Sequence, residues 1–469
     1  MPRAAYVMHL PALLLVTALI TWIAGDEIAL VIASAVGGGV GLYILWDWLF
    51  REAPTRFSTL SAMSFLIGYG LGALNTWLTL PRGGLSLAQY MGKDPDVLAR
   101  GMAGVLIASA PLIFLGELYE RPLFGRDFRI SLDQRTCIFI VLGTGVVLVG
   151  FLTHSLGFMG TELSAGEQMS VATALITGMF ACTAALSIPV FLVVRGRLLK
   201  PVMGFCSLVL CTLVMVLSRR TIFYTAVLAL FSLRFIGYRL KGTLLRKFLL
   251  ISGGAIFLAV GLNVFMLLRL AGFQTGRARV PLFERVRIAA SWVEDGSAIS
   301  RATEANQANV RSRTFILGFF ADVLDGSTRE TPALGEDFKG LTQMAIPKVL
   351  YPDKYEFGEE GLADMQFGLT YSDAANSILT NGATDFGIVG AIAYPLLLVG
   401  LLRFIFSALS WILPPFPASF IALEMIGTVL QTEIAITGYL VAIRNVIIFA
   451  AILWVFYSLP AFSLRSRGA

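Results

Sequence analysis

Apolar runs close to twenty residues long recur along the whole chain, and almost all are joined by short polar connections. A helix of that length spans a hydrocarbon core about 30 Å thick. Backbone N–H and C=O groups find no partner in lipid, so each run must satisfy its own hydrogen bonds, as a helix does. Mean hydropathy of +0.78 with 14% charged residues fits this picture. Soluble domains carry about a quarter of their residues charged. The sequence therefore predicts an all-α polytopic membrane protein of about twelve spans, at 5–24, 27–48, 57–80, 98–118, 136–156, 171–194, 202–217, 221–236, 248–270, 384–406, 416–432 and 436–457. The first run has neither a strong basic flank nor a small-residue cleavage site, and is read as a retained helix.

One connection departs from the pattern. Residues 271–383 form a large polar loop between spans nine and ten, dividing the chain into 1–270, 271–383 and 384–469. Loops of this size are functional or disordered. Trp292, Phe315, Phe319, Phe320, Tyr351, Phe357 and Phe367 argue against disorder. Leu282, Val286, Ala289 and Val293 recur at helical spacing. That helix lies either along the membrane surface with Trp292 at headgroup level, or packed on the spans below. A second helix is expected around 312–324, so the loop contains short helices of its own.

Charge fixes an orientation. From Ala271 to Gly382 there are 11 Lys and Arg against 15 Asp and Glu, and the rest of the chain holds 25 against 15. Outside the loop the cations gather in alternate connections: Arg51 and Arg56; Arg121, Arg126, Arg129 and Arg135; Arg195, Arg197 and Lys200; Arg239, Lys241, Arg246 and Lys247. The positive-inside bias places these, and both termini, in the cytoplasm and the large loop outside. The bilayer, and not nucleic acid, is the partner expected for this charge.

Other chemistries find little support. Cys137, Cys182, Cys206 and Cys211 lie in apolar runs, and His9 and His154 are the sole histidines. Neither a disulfide framework nor a metal site is expected, and no cofactor. Gly37, Gly38, Gly39, Gly41, Gly68, Gly70 and Gly72 form either a helix-packing seam or the ordinary glycine enrichment of membrane helices. No strand precedes them, which excludes a nucleotide-binding loop.

Several cations stand where the bias disfavours them. Arg219 and Arg220 occupy the outer reversal Leu217-Ser218-Arg219-Arg220-Thr221, and Arg269 closes the ninth span at the same face. Arg444 lies inside the last span, roughly 12 Å below its outer end at about 1.5 Å per residue. An arginine there needs a partner or a hydrated cavity. Glu424, on the preceding helix, falls at about the same depth. Two readings stay open: a buried Arg444–Glu424 pair that locks two helices, or a basic pocket of Arg219, Arg220, Arg269 and Arg444. Guanidinium forks suit the oxygens of a diphosphate. Glu424 can serve both readings by orienting Arg444.

Three stretches carry a family resemblance: the Ser218-Arg219 pair at an outer helix end, Ile346-Pro347-Lys348-Val349-Leu350-Tyr351-Pro352-Asp353-Lys354-Tyr355 in the loop, and Asp385-Phe386-Gly387-Ile388-Val389-Gly390 entering the next span. With twelve spans and one large outer loop, the chain resembles the bacterial O-antigen polymerases, the wider oligosaccharide repeat-unit polymerases and their ligase relatives. The resemblance implies a metal-independent glycosyltransferase of the inner membrane, its active site facing the periplasm. A glycan on one undecaprenyl diphosphate would be transferred to the sugar of a second lipid-linked repeat unit, beside a flippase and a chain-length regulator as partners. It also implies that Arg219 contacts the diphosphate. Ligases of this type place a histidine in the outer loop, and none occurs between Ala271 and Ala383. That favours polymerase over ligase.

In such a transfer a carboxylate can accept the acceptor's proton. Asp373 is the first candidate, followed by Asp385 and Glu336, each alternatively a turn or cap acid. His154 lies near the outer end of the fifth span, as a structural histidine or within reach of the site. Lys348, Tyr351, Lys354 and Tyr355 either bind sugars or simply pack the loop. The rival classes are a ligase-type glycan transferase and a lipid-linked glycan transporter; no repeated half supports the latter. Topology is directly testable: a periplasm-dependent reporter is expected to be active when fused within 271–383 and silent at the carboxyl terminus.

Overall fold

The computed structural model describes residues 5–51, 53–80, 86–124, 134–153, 156, 171–217, 219–236, 244–274, 282–312, 315–347, 350–351, 361–369 and 376–459. Its helices are α1 (Leu10–Ala24, preceded by a π-helical turn Ala5–His9), α2 (Glu27–Phe50), α3 (Phe57–Thr79), α4 (Leu87–Met91), α5 (Pro95–Tyr119) and α6 (Gln134–Leu152). Next come α7 (Val171–Val193), α8 (Leu199–Leu217), α9 (Arg219–Phe235), α10 (Leu244–Gln274), α11 (Leu282–Glu294) and α12 (Ala298–Ser312). The last are α13 (Phe315–Arg329), α14 (Glu336–Ala345), α15 (Gly361–Phe367), α16 (Ile378–Ile412), α17 (Pro415–Val429) and α18 (Ile436–Ser458). No strand occurs among the described residues. Among the described residues ten helices are long and apolar enough to cross a membrane, and two shorter apolar ones, Thr221–Phe235 and Pro415–Val429, fall where further spans are expected. The chain is a multi-pass, membrane-embedded protein.

Local signals explain many helix ends. Asp26 accepts the N–H of Ala29 at 2.7 Å and starts α2, just after Gly25 (φ 60°) has ended α1. Ser86 and Gln89 make a reciprocal capping box on α4. Asp94 precedes Pro95 at the first turn of α5, where a missing N–H costs nothing.

The chain forms two compact units. The first comprises Met1–Gly125, Ala308–Ile405 and Met425–Ile443. Helix α5 is its hub, buried over most of its length and packed by α1, α2, α3 and α13. The start of α3 is clasped from the end of α5: Glu120 accepts the N–H groups of Phe57 and Ser58 at 2.8 and 3.0 Å, while Arg56 reaches Glu117 at 2.5 Å. Glycines of α2 and α3 meet at a seam, where a Cβ on Gly70 would lie 2.8 Å from the backbone N of Gly38. Gly39 and Gly72 have open space beside them, so only part of the glycine cluster is used for packing.

The second unit comprises Arg126–Gln307, Phe406–Glu424 and Arg444–Ala469. One apolar cluster joins Phe180, Leu210, Val214, Ile222, Phe265 and Met266. Phe139 meets Phe416, Phe420 and Phe456 edge-on at 5.3–6.2 Å. Helix α11 packs on the last turns of α10, with Trp292 against Ala271 and Ala298. The packed face is rotated from the one that hydrophobic spacing selects. Arg285 and Trp292 are buried with Ala289, whereas Val286 and Val293 are exposed. The guanidinium of Arg285 lies over Gly272, where no side chain obstructs it. In the turn before α12, hydrogen bonds from the side chain and backbone of Ser297 hold the Asp295 carboxyl below the usual carboxylate range.

The polar segment 271–383 is thus shared: residues up to Gln307 belong to the second unit and those from Ala308 to the first. Helix α13 lies where the sequence predicts a second loop helix, and is as buried as a span. Phe319, Phe320 and Val323 are fully enclosed, Gly101 lets Ala321 approach α5, and Lys93 pairs with Asp322. A Cβ at Gly101 would sit 2.6 Å from that of Ala321. Gly101→Val is therefore expected to destabilise the protein by about 1–3 kcal/mol through overpacking, read as an earlier thermal transition in detergent.

Candidate functional site

Ten consecutive residues of the first unit, 376–385, are all buried, and six are polar: Asn376, Ser377, Thr380, Asn381, Thr384 and Asp385. Buried polar groups must be hydrogen-bonded, so their partners define what the segment does. Ser377 starts helix α16, its hydroxyl accepting the N–H of Leu379 and Thr380 at 3.2 and 3.3 Å and meeting Tyr69 Oη at 2.6 Å. One turn on, Asn381 donates to Asp337 Oδ2 at 2.9 Å and accepts the N–H of Ile436, the first residue of α18, at 3.1 Å.

Asp385 lies a further turn along the same face. Its carboxylate accepts the N–H groups of Gly335, Asp337 and Phe338 at 2.9, 3.0 and 3.0 Å, and the hydroxyl of Tyr394 at 2.6 Å. The backbone carbonyls of Thr384 and Asp385 accept the N–H groups of Ala333 and Leu334 at 2.9 and 3.0 Å. Residues 384 and 385 thus receive most of the amide protons that start α14. The approach to that helix is tightly turned, with Leu334 at φ 53° and Gly335 at φ 96°. Asp385 is a cap, but for a helix almost fifty residues upstream rather than for its own.

Helix α16 then breaks. Phe386 (φ −143°, ψ 22°) and Gly387 (φ 59°, ψ −143°) leave helical geometry, and only glycine occupies the second conformation without strain. The break sets Gly390 against Gly382 so closely that a Cβ on either would enter the other's backbone. The Asp385-Phe386-Gly387 and Gly390 pattern is therefore one device: a cap, a break and a backbone-to-backbone contact.

Two other interruptions meet this one. Helix α3 contains a π-helical turn, Leu66–Leu71, and residues 430–435 link α17 to α18 without regular helix. Thr432 packs into the space at Gly68 and donates to Ser64 O at 2.9 Å, while Ser64 Oγ donates to Leu430 O at 2.8 Å. The Thr432–Gly68 contact and the Tyr69–Ser377 and Asn381–Ile436 hydrogen bonds tie the three interruptions together. Irregular backbone at membrane depth is tolerated where protein buries it or a cavity adjoins it, and π-bulges concentrate at functional sites.

The expected cations lie elsewhere. Arg219, Arg220, Arg269, Glu424 and Arg444 all belong to the second unit. Arg219 and Arg220 are the first two residues of α9; their side chains lie outside the described part. Arg269 is half-buried with its guanidinium 5.5 Å from the Phe273 ring centroid. Arg444 is half-buried and places Nε and Nη2 3.4 and 3.3 Å from Asn445 Oδ1. Glu424 accepts from Cys182 Sγ at 3.2 Å, with its other oxygen over Gly178.

The remaining candidates belong to the first unit. Tyr351 is exposed, and Glu336 is exposed and paired with Lys339 at 3.0 Å. Asp373, Lys348, Lys354, Tyr355 and, in the second unit, His154 lie outside the described residues. Sequence reading had not singled out Asn381, Asp337 or Arg285. The Asn381-x-x-x-Asp385 spacing was the available signal for the first; nothing local marks Arg285 for burial. Among the described residues no group of three His, Cys, Asp or Glu side chains is placed to hold a metal ion. No family model, no curated protein and no solved structure matches the chain. Fold and site together define a polytopic membrane protein with interrupted helices around a buried polar segment.

Removing the Asp385 carboxylate strands four donors at once. Hydrogen bonds to charged groups contribute about 1.5–3 kcal/mol each. Asp385→Ala is expected to cost at least one such increment in thermal stability and to expose 331–345 to proteolysis. Unchanged cleavage of that stretch would contradict the cap.

Proposed function

We propose that the protein is a membrane glycosyltransferase that polymerises undecaprenyl-diphosphate-linked oligosaccharide repeat units on the outer face of the bacterial inner membrane. In this reading the chain has twelve spans, both termini are cytoplasmic, and 271–383 is periplasmic. One observation carries most weight. Arg219 and Arg220 open helix α9, whose N-terminal end already bears the positive end of the peptide dipole. In this reading their permanent charges meet those of a lipid diphosphate. Membership of Arg269 and Arg444 in the same compact unit supports a shared role.

The chemistry asks little beyond this. Diphosphate is a good leaving group, and preorganised cations stabilise the charge that develops on it as the sugar departs. Holding the acceptor hydroxyl against the donor carbon lowers the barrier further. The motif stretch 346–355 follows α14 in the chain, whose start is fixed by Asp385, and in this reading it supplies sugar-binding side chains such as Tyr351.

A transporter reading draws on a different observation, the two interrupted helices and the irregular 430–435 link of the first unit, because transporters bind substrates at such breaks. Deletion of the gene separates the classes on gels of surface glycan. Loss of the polymerase leaves single repeat units where long chains stood, loss of a ligase leaves none attached, and loss of a flippase removes both while substrate stays on the cytoplasmic leaflet. Arg219→Ala and Arg444→Ala are expected to give the single-unit pattern at normal membrane levels of protein. Normal ladders from both variants would remove the diphosphate role.

A further inference from the structure

Helix α11 has three faces where a helix on the surface of a soluble protein has two. Arg285, Ala289 and Trp292 are buried against the rest of the second unit. Glu284, Arg287, Ser291 and Glu294, at intervals of three, four and three, make a polar stripe, half-buried at Glu284 and exposed at the other three. Phe283, Val286, Ala290 and Val293 repeat the same intervals one position earlier, and all four are exposed. Such spacing keeps each set on one side of a helix. Two of the faces have evident surroundings, protein and water. The third sets an apolar stripe outward, with Phe283 82% and Val293 64% exposed, although apolar residues of a water-bathed helix normally face the core.

The mounting of α11 indicates what lies beside that stripe. Helix α10 contains the candidate span Ser252–Gln274. Ile288 and Trp292 of α11 pack with Leu267, Leu270 and Ala271, in the last two turns of that span. At about 1.5 Å per residue these positions lie roughly 5–10 Å short of its end. An interfacial helix sinks its apolar face to about that depth, at the boundary between headgroups and acyl chains. Exposed apolar side chains of α10 itself, Ile256, Val260 and Phe273, extend to the end where α11 is attached. Arg287, exposed on the polar stripe, is long enough to hold its guanidinium among headgroups while its stem lies along lipid.

We propose that the Phe283–Val286–Ala290–Val293 stripe is a lipid-binding surface. Helix α11 lies in the headgroup–acyl boundary beside α10, with protein, phospholipid and water each against one of its faces. The rotation that buries Arg285 and Trp292 against protein is the one that turns the four apolar residues toward the bilayer. The part of the polar segment that belongs to the second unit is thus seated on the membrane by its own side chains. This holds for a transferase and for a transporter alike.

The test uses the full-length protein in vesicles of phosphatidylethanolamine and phosphatidylglycerol, with or without phosphatidylcholine bearing a nitroxide high on its acyl chain. A fluorophore is attached to Val286→Cys, Val293→Cys or, for the polar stripe, Ser291→Cys. The parent protein, treated identically, supplies the blank for the four native cysteines. Each variant is used only if it keeps the thermal transition of the parent, and either apolar position suffices. Labels at 286 and 293 are expected to lose about half or more of their emission to the nitroxide lipid and little to iodide in the buffer, and the label at 291 to respond mainly to iodide. Equal iodide quenching at all three positions overturns the proposal, because the stripe then faces water. So does shielding of 286 and 293 from both quenchers, because protein, a second copy included, then covers the stripe.

Discussion

A carboxylate facing three amide protons holds the first unit in its form. Asp385 collects the N–H groups that open α14 and the hydroxyl of Tyr394, in a fully buried setting. In a low-dielectric interior an unpaired amide is expensive, so the helix start and the acid that serves it become one object. The exchange runs both ways. Carbonyls at Thr384 and Asp385, next to the break at Phe386 and Gly387, accept from Ala333 and Leu334. Helix break and helix start complete each other's hydrogen bonds.

From that joint the polar interior extends along one helix face. Ser377, Asn381 and Asp385 stand at intervals of four, and each reaches a different element: α3, the start of α18 and the start of α14. The side chains that would make a soluble protein's surface here act as internal couplings. Small residues complete the arrangement, since Gly68 admits Thr432 and the Gly382–Gly390 contact leaves no room for a side chain.

The second unit handles charge differently. Three of its arginines have neutral groups beside them: the Phe273 ring for the half-buried Arg269, the Asn445 amide for the half-buried Arg444, and the backbone of Gly272 for the buried Arg285. Guanidinium tolerates such settings because its charge is spread over a plane that stacks as well as it bonds. A cation kept charged at moderate desolvation binds an anion more strongly than one in bulk water.

The hydropathy runs determined that the chain is helical and crosses a membrane repeatedly, because span length and backbone self-satisfaction are local requirements. The helix at Phe315–Arg329 was legible for the same reason, in the helix expected around 312–324. Asp385 was readable as a capping acid, but not which helix it caps, since its partners lie 47 to 50 residues away. The rotation of α11 that buries Arg285 was hidden because apolar spacing cannot show that a glycine opposite will admit a guanidinium. Thr432 and Ser64 meet across 368 positions, and the π-helical turn beside them has no sequence signature of its own. Helix content was set by each segment's own chemistry; the breaks were set by distant groups that had to satisfy each other's hydrogen bonds inside the fold.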